Sequence, residues 1–474
     1  MLPETTREAA ERFGEATAYV DEDGRTLSFS ELDRASDEVA VGLSGHGVGE
    51  GDVVALALPP SFEYAIGYLG AAKVGAITTG INDRLAPGEQ AAVLEIAGPL
   101  LTITSPVEMD ELRVRDASPP PLPADEDRPV AIVFTSGTTG TPKGALYTNR
   151  QLAFITKTDT GGNWGGGGGN IAGTAFSHLG FMTKLPGSLH RGGTSYILRR
   201  WRADACLALI AEHRMSNVAG VPTQFALMLR QHDFDSYDLE SVQFLIAGGG
   251  PITPGLAEET RARFGAKLST RYSCTEAGIG LGTAFDDPEE DAIVSVGRPH
   301  PAVDLGVFED DDRPVAEGEV GQVCLRSPAV MSGYWRDPDA TRAAFTADGF
   351  VRTGDLGWID DRGRLRLVGR SKEMYVRGGY NVYPVEVEAF LSTHPKVAAV
   401  AIVPRPDPVM GEVGVAVCVP RDPAAPPSLD ELRSFARDTL ATYKLPEAVS
   451  LADALPLTPG EKIDRAELAK RVRD

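Results

Sequence analysis

The chain has 474 residues, 42% hydrophobic and 24% charged, which is the balance of a globular protein too long for one ordinary core, so two or three packed units are expected. A formal net charge of −21 argues against nucleic acid as a general partner. Cys206, Cys274, Cys324 and Cys418 are widely spaced with no C-x-x-C pair and read as free thiols of a reducing compartment. No run approaches the roughly 18 apolar residues of a membrane span, and the opening MLPETTRE has no signal-peptide core, so a cytoplasmic protein without an integral membrane segment is expected.

In chain order, Ser30 reads as the N-cap of a helix with Leu32, Ala35, Val39 and Leu43 on one face, ended by Gly45. Residues 53–58 form a continuous apolar strand stopped by Pro59 and Pro60; a helix over 64–74 and a strand over 76–79 follow. This βα alternation predicts mostly parallel sheets covered by helices. Residues 116–128, rich in Pro and acid, read as a surface connector. Residues 130–134 (V-A-I-V-F) have the composition of a buried strand, and the chain then runs Thr-Ser-Gly-Thr-Thr-Gly-Thr-Pro-Lys-Gly over 135–144. Glycines admit a close backbone approach, hydroxyls add short donors and Lys143 adds a point charge, so the stretch reads as a phosphate cradle. It is not a Walker loop, because Pro142 stands where that motif needs its second glycine. The glycine-rich tract 161–169 reads as a floppy surface loop rather than a functional lid. Near Lys372 the pattern restarts as a small α/β unit, with a helix over 384–391 opened by Pro384, a strand over 397–403 and a helix over 430–440. The expected division is a domain over 1–371 and a smaller one over 372–474.

The decapeptide at 135–144 resembles the phosphate-loop signature of the adenylate-forming superfamily, which includes acyl-CoA synthetases, peptide-synthetase adenylation domains and firefly luciferase. The resemblance continues, in that family's order and spacing, through Y-S-C-T-E at 272–276, R-T-G-D-L-G at 352–357, G-R-S-K at 369–372, G-G-Y-N-V-Y-P at 378–384 and P-L-T-P-G-E-K at 456–462. It covers essentially the whole chain. It implies an α/β fold with a large N-terminal domain of βα-built sheets packed by helices and a small, mobile C-terminal lid turning about Lys372.

The same resemblance implies ATP, Mg²⁺ and CoA, and assigns roles to matched residues. Thr135, Ser136, Gly137, Thr138, Thr139, Gly140 and Lys143 would hold the β- and γ-phosphates. Thr275 would donate to the α-phosphate and Glu276 would ligate Mg²⁺. Asp355, helped by Arg370, would accept from the ribose hydroxyls. Gly248, Gly249, Gly250 and Pro251 would pass beside the adenine, Tyr272 would stack on it, and Arg271 and Ser273 would complete the nucleotide site. Lys462 would reach the carboxylate and α-phosphate oxygens in adenylation. Arg377, Gly378, Gly379 and Tyr380 would line the CoA tunnel, and His178 would gate it. The acyl pocket would be lined by Phe176, Phe181, Val221, Gly278 and Gly280, with the glycines leaving volume for a bulky apolar acid. Each also has a plainer reading: Asp355 as a turn residue, Tyr272 as core, the 248–251 glycines as a tight turn, His178 as a satisfied structural histidine.

Three departures stand out: Ser273 where glycine is common, residues 148–150 where a His-containing stretch is common, and Glu461 where the family carries glycine before its lysine. A carboxylate beside Lys462 can draw the ammonium away or restrict the loop, which leaves room for a weakened first half-reaction, although a single neighbouring charge on a largely solvated loop often changes little. The function expected is an ATP-dependent carboxylate–CoA ligase. Alternatives are an adenylation-impaired synthetase that mainly thioesterifies a preformed adenylate, a stand-alone amino-acid or aryl-acid adenylation domain, a luciferase-like oxygenase, and a non-catalytic acyl-nucleotide scaffold. Ser177 and His178 stand where amino-acid enzymes carry an Asp, and the chain ends soon after Lys462 with no carrier domain, which favours free CoA as acceptor. The expected partners are a small carboxylic acid, ATP and CoA, with a homodimer left open.

Overall fold

The structure, a computed structural model, describes residues 1–135 and 142–472. Among these, sixteen α-helices pack around five sheets. The six-stranded sheet runs in the order Gly333–Tyr334, Gly144–Thr148, Pro129–Phe134, Ile77–Gly80, Val53–Leu56, Leu101–Ile103. Its last four strands are parallel, as expected of continuous apolar runs buried on both faces. Pro129–Phe134 and Gly144–Thr148 pair antiparallel, with Phe134 opposite Gly144 and the Thr135 N–H donating to the Lys143 carbonyl at 2.9 Å. The phosphate-loop segment therefore joins two strands of one sheet, and the helix Asn149–Thr160 starts only after the second.

A second sheet places Asn217–Gly220, Phe244–Gly248 and Lys267–Tyr272 in parallel, then Leu281–Gly282 and Arg298–Pro299 antiparallel. A third, which the βα pattern does not anticipate, is wholly antiparallel: Asp304–Phe308, Gly321–Arg326, Val351–Ile359 and Leu365–Arg370. After Arg370 the chain builds a separate sheet around the long hairpin of Val397–Asp407 and Gly411–Pro420, with Tyr375, Val382, Val387, Leu391 and Ile402 in a core of its own. No helix of the described residues is long and apolar enough to cross a membrane.

Several expected boundaries are corrected. The first amphipathic helix is Phe29–Gly45, capped by Ser28 and not Ser30: Ser28 accepts from the Glu31 N–H while Glu31 accepts from the Ser28 N–H. That reciprocal pair outcompetes the later serine. The next helix, Phe62–Lys73, is buried on every side and begins two residues early at its Ser61 cap. The lid helix expected over 430–440 is Leu429–Ala436. The glycine tract is not floppy. Gly165 and Gly167 donate to the carbonyls of His190 and Arg191, at 2.9 and 3.0 Å. A Cβ on Gly167 would lie 2.7 Å from the Gly193 nitrogen, and Trp164 stacks on His190 with ring centroids 3.8 Å apart. The glycines allow two backbones to touch.

Candidate active site

Asp355 is the node of the site. It lies on Val351–Ile359 just after Gly354, whose φ is +76°, and pairs in register with Arg370 on the neighbouring strand. The carboxylate is buried. Arg370 Nε donates to Oδ1 at 3.0 Å, and the Tyr272 hydroxyl donates to Oδ2 at 2.7 Å. Tyr272 ends the parallel strand Lys267–Tyr272, so one carboxylate ties two sheets together. Burial, then the Asp355 charge, pushes the Tyr272 hydroxyl well above its ordinary pKa, so it remains a proton donor. The ring itself packs largely within the core, at 8% exposed.

The chain after Tyr272 carries Thr275 and Glu276 toward the phosphate-loop side. The Tyr147 hydroxyl donates to the Thr275 carbonyl at 2.5 Å, and the Tyr334 hydroxyl to Glu276 Oε1 at 2.8 Å. Lys143 Nζ sits over the Tyr334 ring, 5.1 Å from its centroid. Lys143, Tyr334 and Glu276 thus share one corner, bringing the cation at the end of the phosphate loop beside the carboxylate. Among the described residues no cluster of three or more His, Cys, Asp or Glu side chains could hold a metal by itself. A single carboxylate fits Mg²⁺, which usually takes one or two carboxylates and completes its shell with phosphate oxygens and water.

From the other side comes the turn 458–462. The Thr458 N–H donates to the Lys462 carbonyl at 2.7 Å, and the Glu461 N–H to the Thr458 carbonyl at 2.9 Å. Lys462 is open to solvent yet faces protein on several sides. Burial, then the Arg370 charge, lowers its ammonium pKa, against the opposing pull of Asp355 and Glu373. His178 lies close to the same turn, its Nε2 3.9 Å from where a Cβ on Gly460 would stand, with Asn82 Nδ2 3.3 Å from that nitrogen. Burial, then the Lys462 and Arg84 charges, pushes its imidazole down to about 4, so the ring is neutral near pH 7. A neutral ring accepting from Asn82 at Nε2 carries its proton on Nδ1.

Glu461 does not draw Lys462 away. Its Oε1 accepts from Arg84 Nη1 at 2.8 Å and its Oε2 from Gln224 Nε2 at 2.5 Å, both on the large domain. Sequence reasoning singles out neither Arg84, Asn82 nor Tyr334, because no local pattern marks them, and it reads Gln224 only as part of the acyl-pocket stretch 220–224, not as a partner of Glu461.

Other expected residues are placed differently. Gly248 ends a parallel strand, and Gly249, with φ +77°, begins the turn through Gly250 and Pro251, where a Cβ on Gly249 would come within 3.2 Å of Val221 Cγ1. Arg271 is folded back on its own sheet, donating to the Thr270 and Thr283 carbonyls at 3.1 and 2.6 Å, and the Ser273 hydroxyl donates to the Cys274 carbonyl at 3.3 Å. The acyl-pocket glycines need correction. A Cβ on Gly278 would lie 2.5 Å from the Ala329 carbonyl oxygen, and one on Gly280 2.4 Å from that of Tyr272. Close backbone packing, not ligand volume, explains both. Phe176 and Phe181 stack on each other at 3.7 Å, and both meet the buried Tyr64 edge-on.

On the lid, Arg377 pairs with Glu447, Gly378 donates to the Met410 carbonyl at 2.8 Å, and Tyr380 stacks on Tyr443 at 4.6 Å. Gly379 has φ +87°, and a Cβ there would meet no atom within 4 Å. It faces open space and takes no part in the Asp355–Lys462 cluster. Lys372 is exposed in the turn after Leu365–Arg370. Thr135 and Lys143 flank the phosphate loop; Ser136, Gly137, Thr138, Thr139 and Gly140 lie outside the described residues.

Residues 6–335 match the AMP-binding enzyme family, and residues 386–462 match the AMP-binding enzyme C-terminal domain. The chain is 34% identical, over 94% of both sequences, to a feruloyl-CoA synthase of an Amycolatopsis species. It is 31% identical to the fatty acid–[acyl-carrier-protein] ligase ScoC of Streptomyces coeruleorubidus, over 95% of this chain and 92% of that one. Its fold is similar to that of the amide bond synthetase McbA of Marinactinospora thermotolerans, with a TM-score of 0.85, 27% identity and 100% of both chains covered. The chain belongs to the AMP-binding enzyme family and is an acyl-CoA synthetase of the adenylate-forming kind.

Proposed function

We propose that the protein is an ATP-dependent carboxylate–CoA ligase for a bulky apolar acid, working in two steps in the cytoplasm. The observation that carries this reading is the convergence of lid and large domain: Glu461 bonds to Arg84 and Gln224, the charges of Asp355 and Arg370 act on the neighbouring Lys462, and a Cβ on Gly379 would meet no atom within 4 Å. This is an arrangement suited to the first step. The substrate carboxylate attacks the α-phosphorus of ATP, the bond to pyrophosphate breaks, and an acyl-adenylate forms. Lys462 stabilises the negative charge that builds on the α-phosphate and carboxylate oxygens. Asp355 accepts from the ribose hydroxyls with its remaining lone pairs, and Arg370 keeps that carboxylate oriented. Lys143 holds the outer phosphates. Glu276 would hold Mg²⁺, which supplies charge neutralisation on those phosphates.

In the second step the sulfur of CoA attacks the acyl carbonyl, the bond to AMP breaks and the thiol proton passes to solvent. Before that attack the lid turns about Lys372, carrying Lys462 out and Gly379 in. The neutral His178 stands where the acid and the incoming thiol meet and adds no charge there. The apolar wall of Phe176, Phe181 and Val221 suits an aryl or long acyl chain, and the names of the feruloyl-CoA and fatty-acid relatives point the same way. The test is a panel of acids, including ferulate, 4-coumarate, laurate and acetate, each supplied with ATP, Mg²⁺ and CoA. AMP and thioester are measured separately. Stoichiometric AMP and thioester from a bulky acid, with little from acetate, is the expected result; turnover confined to acetate refutes the substrate class.

A further inference from the structure

Glu461 holds a backbone conformation that glycine would hold more easily. Its φ is +61°, in the left-handed region that disfavours any residue with a Cβ. The turn bonds between Thr458 and residues 461 and 462 keep it there. A non-glycine residue retained in such a position points to a use for its side chain.

That side chain crosses from the lid to the large domain. Arg84 follows the strand Ile77–Gly80, and Gln224 lies on the helix Pro222–Leu229, so the carboxylate joins two separate parts of the large domain. Gln224 is 3% exposed, and its Oε1 accepts from the Val221 N–H at 3.0 Å. This fixes the amide with its N–H₂ aimed at Glu461. Both carboxylate oxygens are engaged, one by a guanidinium, in a setting that is mostly closed to water. Hydrogen bonds to charged groups in such settings are strong and directional. Lys462 is the next residue, so the clasp sets where its ammonium falls.

We propose that Glu461 is a positioning residue for adenylation: by clasping Arg84 and Gln224 it holds the lid in the orientation that presents Lys462 to the reacting phosphate. The inference rests on the reading of Lys462 given above. Its sign is opposite to the expectation that an acid beside the lysine weakens the first step. The clasp must open before the lid can turn for thioester formation, so Glu461 favours the adenylate over its onward transfer.

The two steps are assayed apart in the full chain, as ferulate-dependent ATP–pyrophosphate exchange and as thioester formation from synthetic feruloyl-adenylate and CoA. Glu461→Gly is expected to slow exchange at least about tenfold through kcat, with the KM for ferulate unchanged. Thioester formation from the adenylate should hold or quicken. Glu461→Gln keeps one acceptor oxygen but sets an N–H₂ donor against the donor on the other side and loses the charge, so it should keep one of the two contacts and fall between. Exchange at or above the parental rate in Glu461→Gly overturns the proposal. Hydrogen–deuterium exchange of residues 456–464, measured without substrates, is a readout independent of turnover. Faster exchange there in both Glu461→Gly and Arg84→Ala is expected, and unchanged protection in both overturns the clasp. If the parental protein activates no ferulate, the ligase assignment is at fault for that acid, while the hydrogen-exchange result still decides the clasp.

Discussion

The Tyr272 hydroxyl donates to Asp355 at 2.7 Å, joining the end of a parallel strand to the middle of an antiparallel one 83 residues later. With Arg370 on the other oxygen, Asp355 meets any ligand already oriented. A carboxylate has about four lone-pair sites, so two remain for a ribose.

Removing the two partners should therefore differ in size. Tyr272→Phe deletes one hydrogen bond, typically about 0.5–1.5 kcal/mol, and should raise the KM for ATP roughly threefold to tenfold. Asp355→Ala deletes the acceptor and strands Arg370, and should raise it at least about a hundredfold. Steady-state kinetics with ATP varied at saturating acid checks the ranking. Equal effects would make Asp355 a structural tie between sheets and not a ribose clamp.

Glu276 is oriented by Tyr334 and lies near Lys143. Glu276→Ala should weaken the Mg²⁺-dependent step by several kcal/mol, at least about a hundredfold in rate, and raise the Mg²⁺ concentration needed for half-activity. Binding of the organic acid, followed by calorimetry in the absence of ATP, should change little. Equal losses in both measurements would mark the residue as part of the pocket wall.

How much of this was legible in the sequence depends on how far apart the partners lie. The phosphate loop, the Thr275–Glu276 pair, Asp355 and Lys462 each sit in a contiguous run of distinctive residue types. The partners of Glu461 do not: Arg84 and Gln224 meet it across 377 and 237 residues, a lone Arg in a loop carries no local signal, and the stretch 220–224 points to an acyl pocket and not to Glu461. The direction of the Glu461 effect was hidden for the same reason, since adjacency to Lys462 is visible in the sequence and the clasp is not. The glycines at 278 and 280 show a related limit. Sequence registers a missing Cβ, but only packing tells whether a ligand or a backbone carbonyl fills the space. The antiparallel sheet of residues 304–370 escapes the βα pattern because its strands alternate with short turns and few helices.

His178 offers a pH test. Its folded-state pKa is pushed down to about 4 by burial, then by the Lys462 and Arg84 charges, from an ordinary value of 6.5. Above pH 6.5 the ring is neutral in both folded and unfolded chains and costs no stability. Between about 6.5 and 4 only the unfolded chain takes up the proton, so stability falls with pH in that window. Thermal melts should show the parental protein losing more stability than His178→Gln between pH 7 and 4.5. An NMR titration of the imidazole giving a midpoint near 6.5 would contradict the burial and charge environment described.

Gly255 is the sharpest test of lid placement. It lies near the start of the helix Pro254–Phe264, against the end of the lid helix Pro384–Leu391. A Cβ built on it would come 2.5 Å from the Ser392 carbonyl oxygen and 3.1 Å from its carbon, and neither can swing aside as a side-chain tip would. One turn along, Glu259 pairs with lid Arg421 at 2.9 Å, so this face is a second contact beside the Glu461 clasp. Gly255→Ala should push the lid off this orientation and slow acid-dependent ATP–pyrophosphate exchange about tenfold, since small displacements of catalytic groups are costly. Thioester formation from a preformed adenylate, which on the proposed reading uses the other orientation, should be spared. The melting temperature should barely change, because the collision is between the two domains and neither core is touched. Gly88→Ala is the matched control: it too is helical, and its added Cβ meets nothing within 4 Å. Exchange lost equally in both variants, or thioester formation lost together with it in Gly255→Ala, would show that the substitution harms the fold and not the placement of the lid.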